Sequence, residues 1–204
     1  MANPTAAMLV IGDEILSGRT RDSNTNHLAQ ELTSHGITLA EVRMVPDNIA
    51  VIIDAVRALS DAYDHVFTSG GIGPTHDDIT ADAIAEAFGV GLDVRDDARE
   101  LMQAHYDRAG MEFNAARMRM ARIPDGATLI ENPVSVAPGF TVENVHVMAG
   151  VPAVFEAMVA SIVPTLASGE QVLSQSLRVL RGEGDIAGPL GEVAKAHPEV
   201  SIGS

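Results

Sequence analysis

Eleven consecutive residues, Ser69-Gly70-Gly71-Ile72-Gly73-Pro74-Thr75-His76-Asp77-Asp78-Ile79, hold three glycines, two hydroxyls and two adjacent carboxylates. The preceding Asp64-His65-Val66-Phe67-Thr68 reads as a short buried strand, and Thr80 to Phe88 has helical spacing with Ile84 and Phe88 on one face. The loop therefore joins a strand's carboxyl end to a helix N-terminus. Glycines there permit φ > 0 and let backbone N–H groups come close to a ligand, while the helix start adds partial positive charge that favours phosphate. Asp77 and Asp78 would repel such a phosphate unless a cation lay between them, and hard carboxylate oxygens suit Mg²⁺ or another divalent ion. An ordinary glycine-rich turn with an Asp helix cap accounts for the same residues.

Composition narrows the field. The 204 residues suffice for one α/β domain with a full core and a small appended lobe. A formal charge of −15, from 13 Lys+Arg against 28 Asp+Glu, argues against nucleic acid and anionic membranes as partners. With no cysteine, disulfides, thiolate metal sites and cysteine nucleophiles are excluded; a cytoplasmic location is expected, which the absence of cysteine permits without requiring. The apolar stretch Ala6 to Ile11 is too short for a membrane span and runs into Gly12-Asp13-Glu14, so it reads as the first buried strand.

The remaining pattern alternates. Asn24 to His35 reads as a helix ending at Gly36, Ile37 to Val45 as strand two, and Asn48 to Ala62 as a helix leading to strand three. Helices follow at Asp96 to Ala109 and Asn114 to Arg122, and Pro138 to Met148 fits a hairpin turning at Glu143-Asn144. Val151-Pro152 opens a helix to about Leu166. Gln171 to Leu180 reads as a strand, Asp185 to His197 as a helix and Val200-Ser201-Ile202 as the start of another strand, so a chain continuing past Gly203-Ser204 is expected. Strand–helix alternation implies a mainly parallel sheet in a three-layer α/β domain.

Other candidates carry less chemistry. His27, His35, His105 and His197 fall on predicted helices without a second ligand at i+3 or i+4, and His76 is singled out only by lying inside the loop. Arg117, Arg119 and Arg122 form the one cationic knot of an acidic chain. They suit either a ligand phosphate or a salt-bridged helix face.

Together, Gly12-Asp13-Glu14-Ile15-Leu16-Ser17-Gly18, Asp22 with Asn24, Arg43 with Pro46-Asp47, Gly70 to Thr75 with Asp77-Asp78-Ile79-Thr80, Asn132-Pro133, Ala137-Pro138-Gly139-Phe140 and Gly150-Val151-Pro152 resemble the MoaB/Mog family of molybdopterin-binding domains. The resemblance is strongest to the N-terminal domain of competence/damage-inducible protein A, the CinA-like branch, because Asp77 is a carboxylate that the Mog-like pattern usually lacks. It covers nearly the whole chain. It implies a molybdopterin-binding-like domain over residues 1–168, a small and truncated α+β lobe over 169–204, and a homo-oligomer. It also implies one pocket built from the Gly12, Gly70 and Pro138 loops. Asp47 and Asp78 match the family's catalytic carboxylates, and Asp77 with Asp78 would hold the metal. The ligand-binding set is Gly12, Asp13, Glu14, Ser17, Gly18, Asn24, Ser69, Gly70, Gly71, Gly73, Pro74, Thr75, Ser135, Pro138 and Gly139.

Three departures stand out: Ser69 where Thr is common, Ser135-Val136 where Gly-Thr is usual, and Ala149 in place of a frequent Pro. The deamidase domain that often follows in competence/damage-inducible proteins has no counterpart in this sequence. The function implied is Mg²⁺-dependent hydrolysis of an ADP-ribose-like nucleotide diphosphate. The alternatives are a non-catalytic module binding molybdopterin or a nucleotide, and third a molybdopterin adenylyltransferase.

Overall fold

A computed structural model describes residues 3–203; Met1, Ala2 and Ser204, the ends of the expected segments 1–168 and 169–204, lie outside the described residues. The chain divides into two units, 1–172 and 173–204. In the first, β1 (Thr5–Ile11), α1 (Asp13–Leu16), α2 (Asn24–Ser34), β2 (Thr38–Val45), α3 (Ile49–Ala62), β3 (His65–Ser69) and α4 (Thr80–Phe88) are followed by β4 (Leu92–Val94), α5 (Asp96–Arg108) and α6 (Ala115–Met118). Then come β5 (Arg122–Pro124), β6 (Thr128–Ile130), β7 (Gly139–Val142), β8 (Val145–Met148) and α7 (Pro152–Ile162). The main sheet runs β2-β1-β3-β8-β7-β6. Its β2, β1, β3 and β8 are parallel, and β8-β7-β6 continue antiparallel.

Alternation along β1 creates the three layers. Ala7, Leu9 and Ile11 join a core with Ile52, Val56 and Leu59 of α3 and Ile84 of α4, whereas Ala6, Met8 and Val10 join one with Leu28 and Leu32 of α2 and Phe155 and Met158 of α7. Successive strand residues point to opposite faces, so a strand covered on both sides must be apolar at every position, as Ala6 to Ile11 is. The helix after β1 leads to β2 on one side of β1, and the helix after β2 returns to β3 on the other. That reversal places a topological switch point at the carboxyl ends of β1 and β3.

Several expectations are corrected. Gln171–Leu180 and Val200–Ile202 form no strand; the second unit contains α8 (Glu183–Ala196) and, among the described residues, no strand at all. A strand needs a partner ladder for its backbone groups, and these segments have none, so the α+β lobe reduces to one helix and irregular chain. Ile130 of β6 is buried beneath α7, while Val134 is exposed. The antiparallel pair β4–β5, the edge strand β6 and the four-residue α1 are too short for periodicity to mark.

At the amino-terminal end of β3, half-buried His65 meets buried His146. His65 Nδ1 is 3.3 Å from His146 Nε2, and Thr141 Oγ1 is 3.0 Å from His146 Nδ1. The His146 ring packs 4.9 Å from that of Phe67. Burial, helped by repulsion from His65, pushes the His146 pKa down to about 3. Burial also lowers that of His65, against the pull of Asp64. The unfolded chain takes up a proton near the ordinary value of about 6.5, so acid favours unfolding between there and about 3, and above the window neither state is charged. Denaturation midpoints should therefore fall below pH 6.5 with a His146 contribution of up to about 1.4 kcal/mol per pH unit. His146→Gln should flatten that slope, and equal slopes in the two proteins would refute the assignment.

Candidate functional site

The site begins where four parallel strands end. Val10 of β1 pairs with Ser69 of β3, and Ser69 with Met148 of β8, so these ends are level. The register continues one residue further: Gly12 N–H donates to the Val45 carbonyl at 3.2 Å and Gly70 N–H to the Met148 carbonyl at 3.1 Å. Above these ends opens a cleft of about 420 Å³. Its walls include Gly12, Glu14 and Asp47, the loop residues Gly70 to Gly73, Thr75, Asp77 and Asp78, and the Ala149–Pro152 segment.

The loop's path depends on absent side chains. Gly70 has φ +109°, and a Cβ there would lie 2.2 Å from the Ile11 carbonyl oxygen. Gly71 has φ +70°, and its Cβ would meet Thr80 Oγ1 at 2.1 Å. That hydroxyl donates to the Gly70 carbonyl at 3.0 Å, and the Thr80 N–H donates to the Gly71 carbonyl at 2.9 Å, which fastens the loop to the start of α4. Gly73 differs from the expectation. Its φ is not in the left-handed region; it leaves room for Asp78 Oδ2, 2.6 Å from where a Cβ would stand.

Asp78 is not a helix cap: Ile79 occupies the N-cap of α4 and no side chain caps it. The Asp78 carboxylate turns back, accepting from the Thr75 N–H at 2.8 Å and lying 2.6 Å from Thr75 Oγ1. Asp77 Oδ1 lies 2.5 Å from the same hydroxyl, which holds its pKa below the usual range. A threonine has one hydroxyl proton, so only one of these carboxylate oxygens receives it. Across the cleft, Asp47 Oδ2 accepts from the Asp13 N–H at 2.9 Å. Burial raises the Asp47 pKa against that bond, with added repulsion from Asp13, Glu14 and Asp77. Among the described residues, no group of three or more His, Asp or Glu side chains converges closely enough to hold a metal by itself.

The remaining predicted residues divide. Asn24, 5% exposed, donates to Ser69 Oγ at 2.8 Å and to the Gly150 carbonyl at 2.9 Å, tying α2 to the ends of β3 and β8 beside a smaller recess that Glu14 and Ser69 also line. Ser17 and Gly18 end α1, and they line neither that recess nor the cleft; nor does Pro74. Asp13 contributes its N–H to Asp47. The expected single pocket becomes two spaces on either side of the glycine loop, because Pro138 faces a narrow recess with Gly71, Gly73 and Asp78 while Gly150 takes its place in the main cleft. Ser135 and Gly139 stand outside both. Ser135 Oγ accepts from Asn132 Nδ2 at 2.7 Å, and Gly139 opens β7, where a Cβ would meet the Val147 carbonyl oxygen at 2.5 Å. His76 is fully exposed.

Sequence reasoning missed the residues that shape these loops. Buried Asn132 donates to the Ala137 carbonyl and accepts from the Val134 and Ser135 N–H groups, organising the third loop. Val136, where the resemblance leads one to expect Gly-Thr, has φ +65°, a conformation costly for a β-branched residue. Asn132-Pro133 was the available signal for the first; nothing in the sequence announced the second.

Residues 7–168 match the family described as "Probable molybdopterin binding domain". The chain belongs to this family. The chain is also 32% identical, with a TM-score of 0.73, to the crystal structure of the protein CinA with unknown function from Thermoplasma acidophilum, over 81% of this chain and 99% of that one. Proteins of Caldivirga maquilingensis and Archaeoglobus fulgidus are each 34% identical, over 95% and 97% of this chain and 81% and 83% of theirs. MoaB from Thermus thermophilus shares the fold at 18% identity and a TM-score of 0.53, over 80% of this chain and 91% of its own. Gly70→Ala should lower stability by about 2 kcal/mol or more, since a methyl meets fixed backbone at a positive φ. Exposed Gly184 has open space around it, so Gly184→Ala is the control in the same urea titration. A Gly70→Ala midpoint equal to wild type would show that the strand ends are not packed this closely.

Proposed function

We propose that the main cleft binds a nucleotide diphosphate or a pterin phosphate and that, with a divalent cation, it hydrolyses a phosphoanhydride of an ADP-ribose-like substrate. The carrying observation is the Thr75 hydroxyl, flanked by Asp77 and Asp78 at 2.5 and 2.6 Å with one proton between them, opposite an Asp47 whose pKa is raised. Such crowding of oxygen ligands fits a hard cation. Asp77 and Asp78 would hold it, with ligand oxygens and water completing the shell, as suits Mg²⁺. When bound, the cation supplies neutralisation of phosphoryl charge.

The protein's own groups do the rest. The backbone at Gly70 and Gly71, bent by close packing against Ile11 and Thr80, lines the cleft where phosphate oxygens would approach. Asp47, which lines the same cleft and is more basic than an ordinary carboxylate, would take a proton from an attacking water as the oxygen joins phosphorus and the bridging P–O bond breaks, releasing two monophosphoryl products. The family description, naming molybdopterin binding, favours binding without turnover as the second reading. A cytoplasmic setting, where nucleotide diphosphates are available, belongs to the same proposal.

Asp78→Asn should abolish metal-dependent hydrolysis while changing stability by about 0.5 kcal/mol or less, because the amide still accepts from the Thr75 N–H but no longer carries the charge. Undiminished turnover in this variant would show the carboxylate to be structural. If the wild type binds a nucleotide diphosphate tightly but never cleaves it, the binding-module reading replaces the hydrolase. Self-association is also proposed, through the exposed face of edge strand β2 that carries Val42 and Met44. Light scattering should return a dimer or trimer mass, and a mass of 21.4 kDa at high concentration would end that proposal.

A further inference from the structure

The three arginines of the cationic knot have different surroundings. Arg122 grips Asp82 with two nitrogens, at 2.5 and 3.0 Å. Arg117 lies over the Tyr106 ring, 4.5 Å from its centroid, and donates to the Glu112 carbonyl. Arg119 has neither arrangement. Its Nη2 donates to the Asp78 backbone carbonyl at 3.2 Å, its Nε is buried without a partner, and among the described residues no carboxylate pairs with it. It is partly buried and lines the narrow recess behind the glycine loop, with Gly71, Gly73 and Pro138.

A guanidinium partly withdrawn from water without a counter-charge is costly, and one left so in a chain of net charge −15 has had many carboxylates from which to take a partner. Its neighbour Asp82 is already neutralised by Arg122, and the Asp78 carboxylate is turned towards Thr75. The counter-charge that fits is an anion reaching over the loop from the main cleft.

We propose that Arg119 is the anchor for one phosphate of the ligand, so that a diphosphate straddles the glycine loop with one phosphate beside Asp77 and Asp78 and the other on Arg119. The planar fork suits an oxyanion, and backbone free of side chains at Gly71 and Gly73 separates the two spaces. Asp78 lines both spaces, so a divalent cation that screens its charge should strengthen anion binding at Arg119. This rests on the diphosphate reading of the site but not on turnover.

The probe is methylenediphosphonate, which cannot be hydrolysed, titrated calorimetrically at fixed excess Mg²⁺ and again without metal. Wild type should bind, more tightly with Mg²⁺. Arg119→Gln should weaken binding by about tenfold or more and Arg119→Lys by less, while Arg99→Gln, which removes a surface pair with Asp96, should match wild type. Melting curves establish that each variant is folded, and Mn²⁺ titration without the diphosphonate should give the same affinity in Arg119→Gln as in wild type. Equal diphosphonate affinity in folded Arg119→Gln, no binding by wild type, or a matching loss of Mn²⁺ affinity would each overturn the proposal, the last by showing that Arg119 acts only by holding Asp78. Diphosphonate binding through Arg119 in a protein that cleaves no nucleotide would sustain the anchor and defeat the hydrolase. Cleavage by wild type with unchanged diphosphonate binding in Arg119→Gln would do the reverse.

Discussion

Everything at the site depends on how closely bare backbone meets at the ends of β1, β3 and β8. Gly70 lies against the Ile11 carbonyl with no space for a methyl group, and a Cβ on Gly150 would in turn stand 3.2 Å from the Gly70 Cα. Three chain segments thus touch without side chains between them. Level strand register makes this contact possible, and the two apolar cores on either side of the sheet keep the register fixed, because a one-residue slip of β1 would exchange Leu9 for Met8 on each face. Packing deep in the domain and access for a phosphate above it are consequences of the same alternation.

Charge is arranged around that contact in an uneven way. Asp47, Asp77 and Asp78 face the main cleft together with Glu14, whereas the narrow recess behind the loop sets Arg119 and Arg122 beside Asp78 and Asp82. The glycine loop is the partition. A ligand carrying only negative charge would be repelled in the cleft and would meet both Arg119 and Asp78 in the recess, and a metal–phosphate pair answers both carboxylate and guanidinium. Asp47 registers this field most clearly, since burial and three neighbouring carboxylates combine to raise its pKa while one backbone N–H opposes them.

The sequence disclosed what has a period or a motif. Helices α2, α3, α4 and α5 and the β7–β8 hairpin lie within a residue or two of where apolar spacing puts them, because each buries one continuous face over several turns or pairs. The glycine loop was legible for the same reason that motifs are: residue type alone restricts its backbone. What stayed hidden depends on contacts distant in sequence. Apolar alternation in Gln171–Leu180 suggested a strand, but no neighbour supplies a ladder. Val136 in left-handed geometry could not be foreseen, since the conformation is imposed by Asn132 gathering the N–H groups around it. Arg119 looked like its two neighbours until their partners were known, and the separation of Pro138 from the main cleft required the path of the loop between them.

The single proton on the Thr75 hydroxyl has a thermodynamic corollary. With two carboxylates in reach, the hydroxyl proton has two acceptors to choose between, one on Asp77 and one on Asp78. Whatever ion draws both carboxylates to itself collapses that pair of states into one. For equal populations the loss amounts to RT ln 2, about 0.4 kcal/mol, a factor of about two in affinity. The hydroxyl is therefore an inexpensive placeholder: it keeps the two carboxylates within 2.6 Å of one point before any ligand arrives, and the ordering still to be done on binding is small.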